Sequence, residues 1–214
     1  MRPPFLAAAL LTLAPLLLTP QVGAGGNETD EGARHRVRLG ETVSSGQRLE
    51  IRLATGASLN IASWDRREVL VESERTEALC PDAMMNLTRT SGGALLETRY
   101  KPGSGETHQC SMAIDVHVPS RFDIRVRSAG GSIRIMDMGG TFEGRTGGGS
   151  IELAGLRGHV DLHTGGGRIL VRDAYLDGSL TTGSGSVRFD NVQGGVTATS
   201  GSVRGVTRGR SRSI

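Results

Sequence analysis

The chain has 214 residues, a formal net charge of +3 and 32 glycines, while aromatic residues make up only 3% of it. Glycine is thus about twice as frequent as the roughly 7% usual in proteins, and a core of large aromatic side chains is excluded. The small charge and the scarcity of aromatic stacking groups also argue against a nucleic-acid-binding protein.

Residues 1–24 have the pattern of a secretory signal peptide. MRPP carries one positive charge, the segment from Phe5 to Leu18 is almost wholly apolar, and small residues end the pattern at Ala24. The apolar run of about 14 residues is shorter than the roughly 20 that a spanning helix needs, so no membrane span is expected. An uncleaved anchor is the alternative. We expect cleavage near Ala24 and a periplasmic or secreted protein.

The next hundred or so residues are predicted to be a linker followed by β-strands. Residues 25–34 are polar and are expected to be a disordered linker. From 35 to 128, runs such as RLEIRL, MAIDVHV and FDIRVRS alternate apolar and polar side chains, which predicts strands. In an oxidising compartment Cys80 and Cys110 are expected to form a disulfide, with two free thiols as the alternative. The segment between them is interpreted as an insertion or a hairpin.

Residues 129–206 contain a glycine-rich repeat, and residues 207–214 form a basic tail. GGSIRI, GGSIEL, GGRILV and SGSVRF recur at intervals of eighteen residues, and GSVRGV follows sixteen later. A unit this short cannot bury its apolar face alone, so units are expected to stack about 4.8 Å apart. The prediction is an all-β fold, a parallel β-solenoid with coils of about 18 residues after a less regular β N-terminal part. An antiparallel sandwich is the alternative.

Alternation within each unit assigns side chains to columns of the stack. The inward positions of the first strand are Ile133, Ile151, Ile169, Val187 and Val203, then Ile135, Leu153, Val171 and Phe189; those of the second strand are Phe142, Val160, Leu180 and Val196; outward positions hold Arg134, Glu152, Leu170, Arg188 and Arg204. The glycine clusters are expected at the corners, where φ > 0 or close backbone approach is needed.

Three stretches resemble a known family. GASLNIASWDRREVLVE (56–72), VPSRFDIRVRSAGGSIRI (118–135) and the GGxI-x-[ILV] units are similar to DUF4097, a family of bacterial β-strand-repeat envelope proteins called "putative adhesins". The resemblance extends over residues 48–206, and the Cys80–Cys110 segment departs from it. It implies a β-solenoid in the cell envelope and no catalytic residues.

The best candidate site lies on outward positions of the second strand in two neighbouring units. Two polar rows are expected side by side there, Thr141, Glu143 and Arg145 in one and His159, Asp161 and His163 in the other. Two imidazoles and two carboxylates suit zinc or another divalent ion, and the carboxylates also suit acid–base chemistry on a polysaccharide. The alternative is a solvated face of mixed charge, in which Arg145 pairs with Glu143 or Asp161.

These observations predict an exported, non-catalytic β-solenoid of the bacterial envelope that serves as a binding or scaffolding, adhesin-like surface. The expected partner is an envelope protein or polysaccharide, and no cofactor is expected. The alternative is a carbohydrate-active β-helix enzyme or a metal-binding protein that uses Glu143, His159, Asp161 and His163. Trp64 fits packing at the start of the coil better than a platform for sugars, and GGGS lacks the lysine and helix of a phosphate-binding loop.

Overall fold

The computed structural model describes residues 34–76, 82–103, 112–201 and 203–208, all within the compact unit Gly32–Ile214. These residues form one hydrogen-bonded sheet and contain no helix, so the all-β prediction is confirmed for them. The strands in chain order are β1 (Arg34–Thr42), β2 (Arg48–Leu53), β3 (Ala57–Trp64), β4 (Glu68–Thr76), β5 (Ala83–Thr90), β6 (Gly93–Tyr100), β7 (Met112–Pro119), β8 (Asp123–Ser128), β9 (Ile133–Met136), β10 (Gly139–Thr146), β11 (Ile151–Ala154), β12 (Arg157–Thr164), β13 (Ile169–Thr182), β14 (Val187–Gln193), β15 (Val196–Ser200) and β16 (Val203–Arg208).

The sheet contains two rows of parallel strands. Row A runs β7–β3–β9–β11–β13–β14, and row B runs β6–β2–β8–β10–β12–β13–β15. The long strand β13 belongs to both, because its first half pairs with β11 and β14 and its second half with β12 and β15. From β6 to β15 the chain alternates between the rows, so strands one repeat apart become neighbours.

The register confirms the columns predicted for the first strand of each repeat. Ile151 pairs with Ile133 on one side and Ile169 on the other, and Ile169 pairs with Val187. The three isoleucines are no more than 1% exposed. The second column follows the same pairing through Ile135, Leu153, Val171 and Phe189. Because burying one such side chain contributes roughly 1.5–3 kcal/mol, these columns are a main source of stability.

The prediction for the second strand was wrong at one position. Val160 pairs with Gly178, not with Leu180, and Leu180 instead pairs with Leu162 and Ala198. The period of the repeat is kept there, but a glycine occupies the place of an apolar side chain. The prediction matched residues by apolarity rather than by strict spacing, and it therefore placed Leu180 in the column that Gly178 occupies.

The last repeat does not extend row A, which corrects the assignment of Val203 and Arg204. β16 runs antiparallel to β15, with Val203 opposite Ser200. Only residues 201 and 202 separate the two strands. At the same corner of the earlier repeats four residues lie between the strands, as between β10 and β11 and between β12 and β13. The shorter connection before β16 ends in a hairpin with β15 instead.

The N-terminal part belongs to the same sheet but mixes strand directions. β2 lies between β6 and β8 in row B, and β3 lies between β7 and β9 in row A. Antiparallel β4 and β1 continue row A, and antiparallel β5 continues row B. Parallel pairing is thus confined to the two rows. β5 and β6 form a hairpin, and β6 pairs along β2, so this segment is part of the sheet rather than an insertion beside it.

A ladder of buried hydroxyl groups closes one corner of each repeat. Thr146, Thr164 and Thr182 are no more than 1% exposed, and they lie at the same position of successive repeats. The Thr164 hydroxyl donates to the carbonyl of Gly149 at 2.8 Å, fifteen residues earlier, and the other two donate equivalently. These bonds link neighbouring repeats at the corner, and each contributes about 0.5–1.5 kcal/mol.

The glycine triplets occupy these corners for steric reasons that differ within a triplet. Gly149 has φ +92°, and a Cβ there would lie 2.5 Å from the carbonyl carbon and oxygen of Gly131. At Gly147 a Cβ would lie 2.2 Å from the carbonyl oxygen of Ala129, whereas at Gly148 it would meet nothing within 4 Å. Close stacking of backbones therefore requires two of the three glycines.

Several sequence predictions fall outside the described residues. These are the signal peptide with its cleavage near Ala24, Cys80 and Cys110, and residues 209–214 of the basic tail. Residues 207 and 208 lie in β16, and β1 begins at Arg34, the last residue of the predicted linker. In the described ranges no helix has the length and apolarity needed to cross a membrane.

Candidate functional site

The predicted polar cluster lies on the outward side of row B. Strands β10 and β12 pair in parallel so that Glu143 is opposite Asp161 and Arg145 is opposite His163. His159 is opposite Thr141 in the same register. The alternate residues between them, such as Phe142 and Val160, are fully buried. Burial of that inward set fixes the register, because a slip of one residue would bring every charged side chain into the core.

Glu143 is engaged by an arginine of the preceding repeat. Arg125 on β8 is opposite Glu143 and donates to its Oε2 from Nε at 2.9 Å and from Nη2 at 2.6 Å. The two side chains are 39% and 33% exposed, so solvent screens the pair, and its contribution to stability is at most about 1 kcal/mol. The expectation that Arg145 would pair with Glu143 or Asp161 was wrong, because no ion pair in the described residues includes Arg145.

Asp161 is held by the following repeat. The hydroxyl of Ser179 on β13 donates to Oδ1 of Asp161 at 2.8 Å. His159 and His163 are four residues apart on β12, which at roughly 3.3 Å per residue separates their backbones by about 13 Å. Zinc needs its nitrogen ligands at about 2.0–2.1 Å. Across the described ranges, no three His, Cys, Asp or Glu side chains are placed to hold a metal ion.

Sequence reasoning missed a row of basic side chains beside this cluster. Arg52, Arg127, Arg145 and His163 occupy register-neighbouring outward positions on β2, β8, β10 and β12, and we call this row the cationic column. Its signal was present in the sequence, since Arg127, Arg145 and His163 follow each other at intervals of one repeat. Because the repeat was predicted to begin at residue 129, Arg127 was not compared with Arg145 and His163, and the row was not recognised. β8 pairs with β10 at the same offset, so the repeat register begins earlier.

Only the first member of the cationic column is neutralised. Arg52 donates to Glu50 at 3.0 Å and to Glu97 at 3.3 Å. The hydrogen bond from Arg52 to Glu50, together with the charge of that carboxylate, raises the pKa of Arg52 above its usual value. Within the described residues, Arg127 and Arg145 have no ion pair. The surface therefore carries two neighbouring arginines without a counter-charge.

Two depressions of the surface flank the cationic column. One of about 380 Å³ lies over the predicted cluster, with Arg127, Arg145, Asp161 and His163 on its lining. The other, of about 460 Å³, lies toward the glycine corner, with Arg52, Arg127 and Arg145 among its lining residues. Arg127 and Arg145 line both depressions, so either of them places a ligand within reach of these two guanidinium groups.

Row A differs in that its described strands place no two unpaired arginines opposite each other. Glu152 forms ion pairs with Arg134, at 2.9 Å, and with Arg172. Asn60 donates to Asp115 at 2.8 Å on the neighbouring strands β3 and β7. Arg188 on β14 has no ion pair among the described residues, but its register partner is the uncharged Leu170.

Trp64 has a packing role at the end of β3. Its indole nitrogen donates to the carbonyl of Glu68 at 2.8 Å. The ring centroid lies 5.3 Å from that of His117, and the guanidinium carbon of Arg66 lies 5.0 Å from the Trp64 ring. The ring thus has two close partners within the chain, which favours packing over a platform for sugars.

Comparison with known proteins gives only distant structural similarity. No family model matches the chain, and no curated protein does. Similar solved structures include a "putative adhesin" from Bacteroides fragilis, with 11% identity, 79% of this chain and 97% of that chain covered, and a TM-score of 0.36. A "putative cell adhesion protein" from Clostridium sporogenes has 9% identity, coverage of 78% and 98%, and a TM-score of 0.32. A "putative lipid binding protein" from Parabacteroides distasonis has 11% identity, coverage of 79% and 98%, and a TM-score of 0.26.

Proposed function

We propose that this chain is an exported, non-catalytic β-solenoid of the bacterial cell envelope whose outward side of row B is a binding surface. The observation that carries the proposal is the contrast between the two rows. On row A the outward Arg134 and Arg172 are both paired with Glu152, whereas row B keeps Arg127 and Arg145 directly opposite each other and without ion pairs among the described residues, beside two surface depressions. A surface whose charges are left unpaired at regular spacing suits recognition of a repeating partner.

The solenoid part of the proposal is supported by the register of the repeats. Strands one repeat apart pair in parallel on both rows, and the buried threonine ladder recurs at each corner. In such an arrangement each repeat adds one strand to each row. The binding surface is then an array whose length is set by the number of repeats.

A non-catalytic role is favoured by the state of the two carboxylates. Glu143 is bonded to Arg125 and Asp161 to Ser179, so each is held by a neighbouring repeat. A catalytic pair on a polysaccharide needs one carboxyl group to give up a proton and the other to act as base or nucleophile. Because Glu143 accepts both of its hydrogen bonds from Arg125, its carboxylate is engaged within the protein.

The direct test is a binding survey of the purified mature protein against envelope polysaccharides and envelope proteins. We expect at least one specific partner, and uniform failure would leave only a structural role. Turnover of an acidic polysaccharide that disappears in Asp161→Asn would contradict the proposal in favour of the enzyme alternative. Elemental analysis of protein purified without chelator tests the metal alternative, and a stoichiometric metal would support it.

Export is tested separately, by expressing the full chain in a bacterial host and sequencing the N-terminus of the mature protein. We expect it to begin near Gly25, just after the predicted cleavage point, and to be found outside the cytoplasm. A full-length protein retained in the cytoplasm would contradict this part of the proposal without affecting the binding surface.

A further inference from the structure

We propose that the cationic column binds a linear acidic polysaccharide through the carboxylate groups of its sugars. This inference rests on the proposed binding function and names its ligand class. Arg127 and Arg145 are the principal contacts, and Arg52 and His163 lie at the two ends of the column.

The first argument is electrostatic. Like charges directly opposite each other on paired strands are destabilising. Arg127 has an arginine on both sides, Arg52 on β2 and Arg145 on β10. Arg52 is compensated by Glu50 and Glu97, but no such partner reaches Arg127 or Arg145 in the described part of the chain. An anion lying across these two guanidinium groups removes the repulsion and gains bidentate hydrogen bonds.

The second argument is geometric. Parallel strands place one cation about every 4.8 Å along the column, a spacing comparable with the length of one sugar ring in a linear chain. Beside the column, Ala129 is followed one repeat later by Gly147. A Cβ at Gly147 would collide with the carbonyl of Ala129, so no side chain can cover the surface there. The flank of the column is therefore open to an extended polymer.

The third argument concerns the class of polyanion. The residues that line the two depressions include no Phe, Tyr or Trp, and His163 supplies their only imidazole, so they lack the large aromatic platforms on which successive nucleic-acid bases stack. Three carboxylates line them as well, Glu143 and Asp161 in one and Glu97 in the other. Carboxylates accept hydrogen bonds from sugar hydroxyl groups but repel densely charged phosphates. This mixture favours a polymer that carries both carboxylates and hydroxyl groups.

The test is a calorimetric titration of the purified protein with polygalacturonate, carried out at low and at physiological salt concentration. We expect binding that weakens with salt, and a loss of at least about tenfold in affinity in the double variant Arg127→Ser/Arg145→Ser, since each charged hydrogen bond removed is worth about a factor of ten. The matched control is Arg168→Ser/Arg188→Ser, which removes the same charge from exposed positions on row A. Its affinity is expected to stay within about twofold of the wild type, because such distant charges are screened.

A second variant tests the same idea through a gain of binding. Glu143 is hydrogen-bonded to Arg125, which lines the same depression as Arg127 and Arg145. Glu143→Gln releases that guanidinium and removes a negative charge. We expect this variant to bind polygalacturonate more tightly than the wild type, and weaker binding would contradict the proposal. Thermal denaturation of each variant shows whether it is folded.

Other outcomes are equally decisive. The proposal is overturned if the two double variants lose affinity equally, or if the wild type does not bind polygalacturonate. Binding of duplex DNA or of phosphatidylglycerol vesicles as tight as that of polygalacturonate also overturns it. If the survey finds another envelope partner while polygalacturonate fails, only this inference falls. If nothing binds at all, the proposed function falls with it.

Discussion

The stacking of repeats can be tested within a single glycine triplet, by comparing Gly149→Ala with Gly148→Ala. A Cβ at Gly149 would lie 2.5 Å from the carbonyl of Gly131, at a backbone φ of +92°. A Cβ at Gly148 would meet nothing within 4 Å, and its φ lies outside the left-handed region. The two substitutions make the same chemical change one residue apart, so their difference isolates the effect of backbone stacking.

The expected magnitudes follow from these two environments. At Gly149 the unfavourable φ costs about 1–3 kcal/mol, and displacement of the neighbouring backbone adds about 1–3 kcal/mol, so the free energy of unfolding falls by at least about 2 kcal/mol. At Gly148 alanine reduces the entropy of the unfolded chain and stabilises by about 0.4–1 kcal/mol. For a chain of this size 1 kcal/mol moves the melting temperature by roughly 2–4 °C.

The assay is thermal denaturation followed by circular dichroism, with both variants and the wild type in one buffer. Gly149→Ala is expected to lower the melting temperature by at least about 4 °C, and Gly148→Ala to leave it unchanged or raise it slightly. Equal melting temperatures for the two variants would refute the reasoning, because the close approach of successive repeats at this corner would then not exist.

Two further predictions address the core and the corner ladder. Leu153→Ala, which empties a fully buried position, is expected to lower the free energy of unfolding by about 2–5 kcal/mol in urea denaturation. Leu170→Ala, at an outward position, should lower it much less. Similar losses for the two variants would mean that the inward and outward columns are assigned wrongly. Thr164→Val, which removes a buried hydroxyl and its hydrogen bond to the carbonyl of Gly149, is expected to cost about 0.5–1.5 kcal/mol. Thr197→Val, at an exposed position, is the control, and an equal effect there would mean that the buried hydroxyl ladder contributes nothing.

The core columns could be predicted from the sequence because two periods act on the same residues. Alternation assigns Ile133 and Ile135 to one face, and the spacing of one repeat brings Ile151 and Ile169 beside Ile133. Both rules hold as long as each repeat has the same number of residues. They failed at Gly178, where the spacing was right but the residue was not apolar, so a search for apolar residues passed over it.

The end of the stack and the order of the first strands were not predictable in the same way. The corner before β16 has only two residues, whereas the same corner has four residues before β11, β13 and β14, and β16 pairs back on β15 instead of continuing row A. The placement of β2 between β6 and β8 reflects pairing between segments far apart in sequence. No local periodicity specifies such long-range pairing, because any exposed strand edge with a matching apolar face offers comparable hydrogen bonds.

The candidate site was predicted in part, and the part that was missed explains its chemistry. Alternation and period placed Glu143 beside Asp161, but the partners that hold them, Arg125 and Ser179, lie on the outer neighbours of that pair. Side-chain pairing across a stack is a property of three or more repeats. A comparison of only two repeats could not show it, and it led to the expectation that Arg145 would be the partner.

The same repeat that builds the core also determines what its surface can bind. Because the inward columns lock the register, each outward side chain is fixed by the backbone, and Arg127 and Arg145, which lie one repeat apart, become neighbouring cations. A ligand that bridges both of them binds through effective concentration, so adjacent contacts reinforce each other. It follows that the losses of binding free energy in the single variants Arg127→Ser and Arg145→Ser should add up to more than the loss in the double variant. Either single substitution already leaves the other cation isolated. Additive losses would instead indicate two independent sites, and the idea of one continuous ligand along the column would fail.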